Sequence, residues 1–272
     1  MASQWENLFK NAGIWNGVFL RLQPDGTVVS QTPSRLSLER TAENRCNFQL
    51  IRYPEGQPPQ EHHTDFQSLA RHALFFADGS FSKGSMQWGP ISEFGTEFGL
   101  TQPEARLRLV QMFKPGGALD YLVLIPETRE GTAEVVRPPL TVEQLAGTWR
   151  GEAIDYFQDW TTSEPIATEV TVTPQSAKEI SYGLKSDGFS RQAQARLEGS
   201  RLVFEQGELT YQLLLLPDGG SALCPQTIAP RTAFVCELGW LVEPTLRLRL
   251  IRHYKADGSW SHSTWIREEK VA

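Results

Sequence analysis

The segments RLRLVQMFKPGGALDYLVLIPE (106–127) and RLRLIRHYKADGSWSHSTWIRE (247–268) follow one plan. Each begins with alternating arginine and leucine, continues to an aromatic residue and a lysine, and passes a glycine-containing turn. Each then ends a second apolar run in glutamate. Alternation with period two on both sides of a turn is typical of a β-hairpin. We therefore predict that the chain forms the same hairpin twice.

Shorter matches extend the repeat towards the start of the chain. GIWNG (13–17) corresponds to GTWRG (147–151), and ADGS (77–80) corresponds to PDGG (217–220). The order is preserved, and the spacing drifts only from 134 positions at the first pair to 140 at the second. A solenoid repeat would have a period of roughly 20–50 residues. The pattern therefore indicates that a whole domain has been duplicated.

A polar segment with a Pro-Pro pair separates the two copies. This segment, REGTAEVVRPPLT, covers residues 129–141, and its composition is typical of a linker. It divides the chain into a first domain at 1–132, a linker at 133–139 and a second domain at 140–272.

Both copies indicate an all-β fold preceded by one short helix. Ser3 with Glu6, and Thr141 with Gln144, have the spacing of a capping box at a helix start. Short alternating runs then recur at intervals of about 8–12 residues with turn signals between them, which is typical of a sandwich or barrel. We count about eight candidate strands in each half, enough to enclose side chains or one small ligand. The prediction is two tandem lipocalin-like antiparallel β-barrels.

Composition limits the functions to consider. The chain has 272 residues and a net charge of −6, which argues against general binding of nucleic acids or of anionic lipid surfaces. Its three cysteines have no zinc or CxxC spacing, and we interpret Cys46, Cys224 and Cys236 as small buried apolar residues. No apolar run approaches the ~20 residues of a membrane helix. We expect a cytoplasmic protein without membrane insertion.

The Gly-x-Trp-x-Gly motif after each helix resembles that of the calycin superfamily, which includes the lipocalins and fatty-acid-binding proteins. The resemblance implies that Trp15 and Trp149 close the floors of their barrels and that an arginine from the last strand lies across each tryptophan. Arg267 has a suitable position in the second copy. In the first copy Pro126 occupies the aligned position, although Arg129 is near.

The whole chain is also similar to a family of cyanobacterial proteins with two lipocalin-like domains. The two RLRL hairpins and the opening WENLFKNAGIWNGVF carry this resemblance. Related cyanobacterial barrels attach or chaperone bilin chromophores. The resemblance therefore implies a tetrapyrrole-like ligand as one possibility, but no lyase motif can be transferred residue by residue.

The arginines of the RLRL strands are the first candidate ligand-binding residues. Alternate residues of a strand face opposite sides, so Arg106 and Arg108 share one face, as do Arg247 and Arg249. One arrangement turns the leucines into the barrel and the arginines to solvent. In the other, each arginine pair points into a cavity and binds an anionic group. Glu97 and Glu237, on the preceding segments, would then pair with the arginines in the absence of ligand.

Tryptophans are the second group of candidates. Trp88 or Trp240 would form the apolar wall of such a cavity. Trp260 and Trp265 are five positions apart, so on a regular strand they would face opposite sides. One of them is then expected outside its own barrel, at the interface between the domains.

No pattern indicates catalysis or metal binding. The sequence has no GxSxG, HExxH, GxGxxG or phosphate-binding loop. We interpret His62 and His63 as exposed loop residues, and a lone His72 is a weak candidate for haem ligation. The favoured function is non-enzymatic binding of a small hydrophobic, anionic or tetrapyrrole-like ligand. The alternative is a calycin-type enzyme such as a bilin lyase or isomerase.

Overall fold

A computed structural model describes residues 3–271, and both short helices are present where the capping boxes predict them. Helix α1 covers Gln4–Phe9 and α2 covers Val142–Leu145. The side chain of Ser3 accepts a hydrogen bond from the backbone N–H of Glu6, and Thr141 does the same for Gln144. Each helix is shorter than two turns. The first strand of each domain begins a few residues later, at Gly13 and at Gly147.

The first domain is an open, curled sheet of nine antiparallel strands. In spatial order the strands are β4-β3-β2-β1-β9-β8-β7-β6-β5, so every strand except the two at the edges lies beside its neighbours in sequence. The strands are β1 (Gly13–Leu22), β2 (Val28–Ala42), β3 (Arg45–Arg52), β4 (Gln60–Phe66), β5 (Ala73–Phe75), β6 (Phe81–Gly84), β7 (Phe94–Thr101), β8 (Ala105–Phe113) and β9 (Leu119–Arg129).

The second domain is a closed barrel of ten antiparallel strands. Consecutive strands pair around the ring, and β10 pairs with β19 to close it. The strands are β10 (Gly147–Phe157), β11 (Ile166–Pro174), β12 (Glu179–Ser186), β13 (Phe189–Glu198), β14 (Arg201–Gln206), β15 (Leu209–Leu215), β16 (Gly220–Pro225), β17 (Phe234–Glu243), β18 (Leu246–Tyr254) and β19 (Trp260–Val271).

The structure confirms an all-β fold with two barrel-like domains in tandem, but it corrects the expectation of about eight strands and a closed barrel in each. The first sheet stays open between β4 and β5, where the second domain has the extra strand β14. The net increase in repeat spacing, from 134 to 140, falls between residues 17 and 77 of the first domain, an interval that includes the connection from β4 to β5. Strand β14 is six residues long. Its absence from the first domain leaves β4 and β5 without a strand to join them.

The duplicated motifs occupy equivalent places. Trp15 on β1 lies opposite Leu36 on one side and Arg129 on the other. Trp149 on β10 lies opposite Val170 and Lys270 in the same way. Both tryptophans are fully buried. The first strands of the two domains therefore share one register with respect to their neighbours.

Both faces of the RLRL strands are buried, and the arginines point inwards. Leu107 and Leu109 on β8, and Leu248 and Leu250 on β18, belong to one apolar core that lies between the domains. Strands β7 and β8 pack on β17, and β7 also packs on β18. Of the two arrangements that the sequence left open, the structure has the one with inward arginines, and the leucines are buried because the outer faces of the two sheets cover each other.

Trp260 and Trp265 both lie at this interface. The backbone N–H of Trp260 donates to Met86 O, and Nε1 of Trp265 donates to Asp78 Oδ2 at 3.0 Å. The ladder between β18 and β19 shifts register next to Trp260. Such a bulge inserts one residue and reverses the alternation of faces, so the expected opposite orientation of the two tryptophans is not found.

Candidate ligand cavity

The barrel of the second domain contains a cavity of about 350 Å³. Leu145 of α2 lies at one end of the wall, and Phe189 and Arg191 at the start of β13 lie at the other. Phe189 is 52% exposed, so the cavity opens to the surface at this end. The volume falls within the ≈ 300–1,000 Å³ of ordinary ligand pockets.

The cavity is an apolar space that side chains leave unfilled. Inward-facing Tyr182, Leu184, Phe204, Leu213 and Ile251 all line it and are only half-buried. Apolar residues on the outer face of the neighbouring strands are fully buried against the first domain. The packing that should be found inside a barrel is thus found on its outside.

Two arginines and two glutamates form the polar part of the wall. Arg249 donates from Nε and Nη2 to the two carboxylate oxygens of Glu237, at 2.7 and 2.8 Å, and from Nη1 to Glu268 at 3.1 Å. Nε of Arg247 donates to Glu268 at 2.7 Å. All four side chains are nearly inaccessible to solvent. The pairing expected between Glu237 and the RLRL arginines is present, and the network carries no net charge.

The first domain repeats this network and adds a lysine. Arg106 and Arg108 both donate to Glu127, at 2.6 and 3.1 Å, and Arg108 also donates to Glu97 at 3.0 Å. Lys83 lies 2.9 Å from the second oxygen of Glu97. Leu223 has the corresponding position opposite Glu237 in the second domain. With leucine rather than lysine at this position, the wall of the second barrel is more apolar than that of the first domain.

The arginines keep the buried carboxylates ionised. Burial raises the pKa of Glu268, but Arg247 and Arg249 outweigh burial, so this pKa is lowered from its ordinary value. The same balance, with Lys83 and Arg108 as the cations, lowers the pKa of Glu97 to about 2. Since charged partners surround each carboxylate, neither is available as a general base at neutral pH.

Cationic side chains contact the rings of both floor tryptophans, but only some of them are the arginines that the calycin resemblance implies. Arg106 and Arg129 contact Trp15, with guanidinium carbons 4.6 and 4.7 Å from the ring centroid. Arg247 lies 4.9 Å and Lys270 Nζ 5.3 Å from the centroid of Trp149. These distances are in the range of cation–π contacts.

Arg267 does not take the role that the calycin resemblance implies. It is exposed and pairs with Glu269 at 2.8 Å. Its strand position points away from the barrel interior, whereas Glu268 beside it points inwards to the arginines. Lys270, aligned with Arg129, supplies the cation instead.

Trp88 and Trp240 lie outside the cavity. The ring of Trp240 lies under the Arg137 guanidinium at 4.8 Å, and its Nε1 donates to Asp218 O at 3.0 Å. Trp88 packs edge-on against Phe234 in the core between the domains. The apolar wall expected from these tryptophans is formed instead by the aliphatic and aromatic residues of β12 to β18.

A cluster near the open end of the cavity escaped the sequence analysis. His253 lines the cavity, and its Nε2 lies 2.9 Å from Thr264 Oγ1. Thr264 in turn donates to Asp155 Oδ1 at 2.6 Å, and the ring of His262 stacks on His253 at 4.2 Å. These residues come from β10, β18 and β19. The one signal in the sequence is the alternation of β18, which places His253 on the same face as the arginines.

The remaining chemical candidates give no reactive site. The three cysteines are free and buried, and burial raises the pKa of Cys224 to about 12 and that of Cys46 to about 11. His62 and His63 are exposed, but they lie on β4 rather than in a loop. His72 is exposed. Among residues 3–271, no cluster of three or more metal-ligating side chains is found. In the same part of the chain, no helix is long and apolar enough to cross a membrane.

The fold and cavity define a class: a tandem β-barrel protein with a ligand-sized pocket in its second domain. The chain belongs to the DUF3598 family. Residues 1–132 match the family model for the N-terminal part of DUF3598, a domain of unknown function. Residues 136–271 match the model for the C-terminal domain of Biogenesis factor required for ATP synthase 1.

A solved structure supports the family and the fold. A DUF3598 protein of unknown function from the cyanobacterium Nostoc punctiforme has a crystal structure and is 37% identical in sequence to this chain. The match covers 100% of both chains, and the two structures superpose with a TM-score of 0.94. An S-type phycobiliprotein lyase from Guillardia theta is 15% identical over 48% of this chain and 90% of its own, with a TM-score of 0.38. The second similarity is too slight to carry an argument. No curated protein matches the chain.

Proposed function

We propose that the second domain binds a small, mainly apolar molecule inside its barrel without transforming it. The unfilled cavity carries this proposal. In a small barrel the interior is normally packed with side chains, whereas here Leu184, Phe204 and Leu213 remain partly exposed and line a cavity of about 350 Å³. The Gly-x-Trp floor that the sequence shares with calycins supports the same role, because calycin barrels bind ligands above such a floor.

The charges of the wall favour a neutral ligand. Nε, Nη1 and Nη2 of Arg249 all donate to glutamate oxygens. An anionic ligand would have to displace Glu237 and leave that carboxylate buried without its partner, which is costly. Arg191 at the open end is exposed and has no such partner among the described residues. An acid group would therefore bind at the opening, with the apolar part inside.

The volume favours a ligand smaller than a tetrapyrrole. An engineered apolar cavity of about 150 Å³ admits benzene, and the cavity here, at about 350 Å³, is somewhat more than twice as large. It therefore has room for about two rings. A bilin with four pyrrole rings would extend out past Phe189.

Mass spectrometry under native conditions tests the proposal on protein purified from its native host. Wild-type protein should carry a small molecule, or should bind one from a panel of fatty acids, bilins and neutral aromatic compounds. Ala193→Trp fills the cavity from β13 and should abolish binding. Gln194→Trp adds the same ring on the exposed outer face of that strand and is the matched control. Equal binding by both variants would contradict the proposal, as would failure of the wild type to bind any compound.

An enzyme of the lyase or isomerase type is the alternative. It would need a base or nucleophile in the cavity, and His253 is the candidate that the geometry supplies. Burial lowers the pKa of His253 to about 3, so the imidazole is neutral. Conversion of a bound compound by wild-type protein, lost in His253→Phe, would favour this alternative.

A second candidate function is assistance in the assembly of ATP synthase. The observation that favours it is the family match of residues 136–271, named for a biogenesis factor of that enzyme. A chaperone role is compatible with the cavity, because it needs no catalytic group. Deletion of the gene in the native host should lower the amount of assembled ATP synthase on a native gel, with subunit transcripts unchanged. Normal assembly in the deletion strain would contradict this role.

A further inference from the structure

The hydrogen bonds around His253 determine which ring nitrogen carries the proton. The carboxylate of Asp155 accepts the hydroxyl proton of Thr264 at 2.6 Å. Because a threonine hydroxyl has only one proton, its oxygen can only accept from His253 at 2.9 Å. Nε2 of His253 is then the N–H donor. In a neutral imidazole the other nitrogen, Nδ1, is an acceptor.

Nδ1 of His253 has no hydrogen-bond partner among residues 3–271, although its side chain lines the cavity. Burial, reinforced by His262 and Arg249, lowers the pKa of His253 and keeps the ring neutral. A ligand that covers this acceptor without donating to it would leave it without water and without a partner, which disfavours that complex. The cavity therefore discriminates between ligands by the presence of a donor.

We infer that the cavity selects neutral apolar ring compounds that carry one O–H or N–H group, and that Nδ1 of His253 accepts the hydrogen bond from that group. This inference rests on the proposed binding function and specifies the ligand class. The balanced Arg–Glu network offers no unpaired charge for an acid, and the volume admits about two rings by comparison with the benzene-sized cavity of roughly 150 Å³.

Tyr182 is one of the other polar groups on the cavity wall, together with Ser221 and Gln206. Its hydroxyl also lacks a hydrogen-bond partner among the described residues and lines the same space. A phenol can both donate and accept, so it does not distinguish donors from acceptors. His253, held in one tautomer by Thr264 and Asp155, does.

Titration calorimetry with 1-naphthol and 1-methoxynaphthalene tests the inference on the full chain. The two probes have the same rings, and a methyl group replaces the hydroxyl proton in 1-methoxynaphthalene. Wild-type protein should bind 1-naphthol roughly fivefold more tightly, as expected for one net hydrogen bond. His253→Phe should remove this preference. His262→Phe, outside the cavity wall, and Tyr182→Phe should retain it.

Thr264→Val provides a second variant that leaves the cavity wall unchanged. Without the threonine hydroxyl, His253 is free to adopt either tautomer, so the preference for 1-naphthol should fall towards equality while 1-methoxynaphthalene binds more tightly. Equal binding of the two probes by wild type, or a preference that persists in His253→Phe, would overturn the inference and leave the binding function intact. If the wild type binds neither probe, the inference is overturned. If it also binds no compound of the larger panel, the proposed binding function is overturned as well.

Discussion

Arg249 and Glu237 form a two-point ion pair inside the barrel of the second domain, with N–O distances of 2.7 and 2.8 Å. Glu237 is on β17 and Arg249 on the adjacent β18, so the pair links neighbouring strands. Glu268 extends it to Arg247, and the first domain repeats the arrangement with Arg108, Glu97, Glu127 and Arg106. A buried network of two arginines and two glutamates is thus a shared part of both domains.

Removal of one member of this network should destabilise the protein strongly. Arg249→Met leaves Glu237 without a cationic partner in a buried site, and loss of one member of a buried pair costs about 3–5 kcal/mol. Urea unfolding measures the change. The double variant Arg249→Met with Glu237→Met removes one positive and one negative charge together and should cost much less. Equal losses for the single and double variants would show that the pair is solvated.

Trp149→Ala should destabilise the protein by about 3–5 kcal/mol, the cost of truncating a large buried aromatic residue. The ring is fully buried, lies under Arg247 and Lys270, and donates from Nε1 to Leu145 O at 2.8 Å. The urea midpoint checks the prediction. Trp160→Ala, at a site that is 46% exposed, is the control and should leave the midpoint nearly unchanged. Similar shifts in the two variants would contradict a structural role for Trp149.

The duplication, the strand alternation and one carboxylate partner of each RLRL pair, Glu97 or Glu237, were predictable because they depend on local patterns, whereas Glu127 and Glu268 were not predicted as partners. Period two places Arg247 and Arg249 on one face, and Glu237 on the preceding strand is within reach of that face. The sequence does not show which face is inside. Both faces of β18 are buried, so the leucines that would mark the core in an isolated barrel mark the interface between domains.

Closure of the second barrel and the cluster around His253 depend on contacts between residues that are far apart in the sequence. The ring closes through β14, which pairs with β13 over only three residue pairs, beginning with Arg196 opposite Val203. Asp155 and Thr264 are 109 positions apart and meet only when β10 joins β19. A single sequence without such pairing information places neither feature, whereas the hairpin at 247–268 follows directly from its own residues.

Asp218 should make stability depend on pH between its ordinary pKa of 3.8 and about 6. Burial raises the pKa of this carboxyl to about 6, against the opposing effect of Arg137 and with a further increase from Glu134. In this range the folded state holds a proton that the unfolded chain has released, so this contribution to the free energy of unfolding falls as pH rises. Asp218→Asn should therefore gain stability relative to wild type at pH 7.5 and show a smaller gain at pH 4.5.

Urea midpoints of both proteins at the two pH values check this sign. Asp25→Asn is a control of the opposite sense, because a hydrogen bond from the Thr27 backbone lowers the pKa of Asp25. Its contribution is present above the ordinary pKa and is lost as pH falls. A difference between Asp218→Asn and wild type that grows towards low pH would contradict the prediction.

The second domain alone, residues 136–272, should form a barrel with an exposed apolar outer face. Leu238, Leu248 and Leu250 are fully or almost fully buried in the full chain, in an apolar core that includes residues of the first domain. A contiguous apolar surface of this kind promotes association in a monomeric protein. We expect the isolated domain to self-associate in sedimentation experiments and the full chain to unfold in one calorimetric transition. Leu248→Lys with Leu250→Lys should keep the isolated domain monomeric, whereas a wild-type domain that is monomeric and as stable as the full chain would show that the interface contributes little.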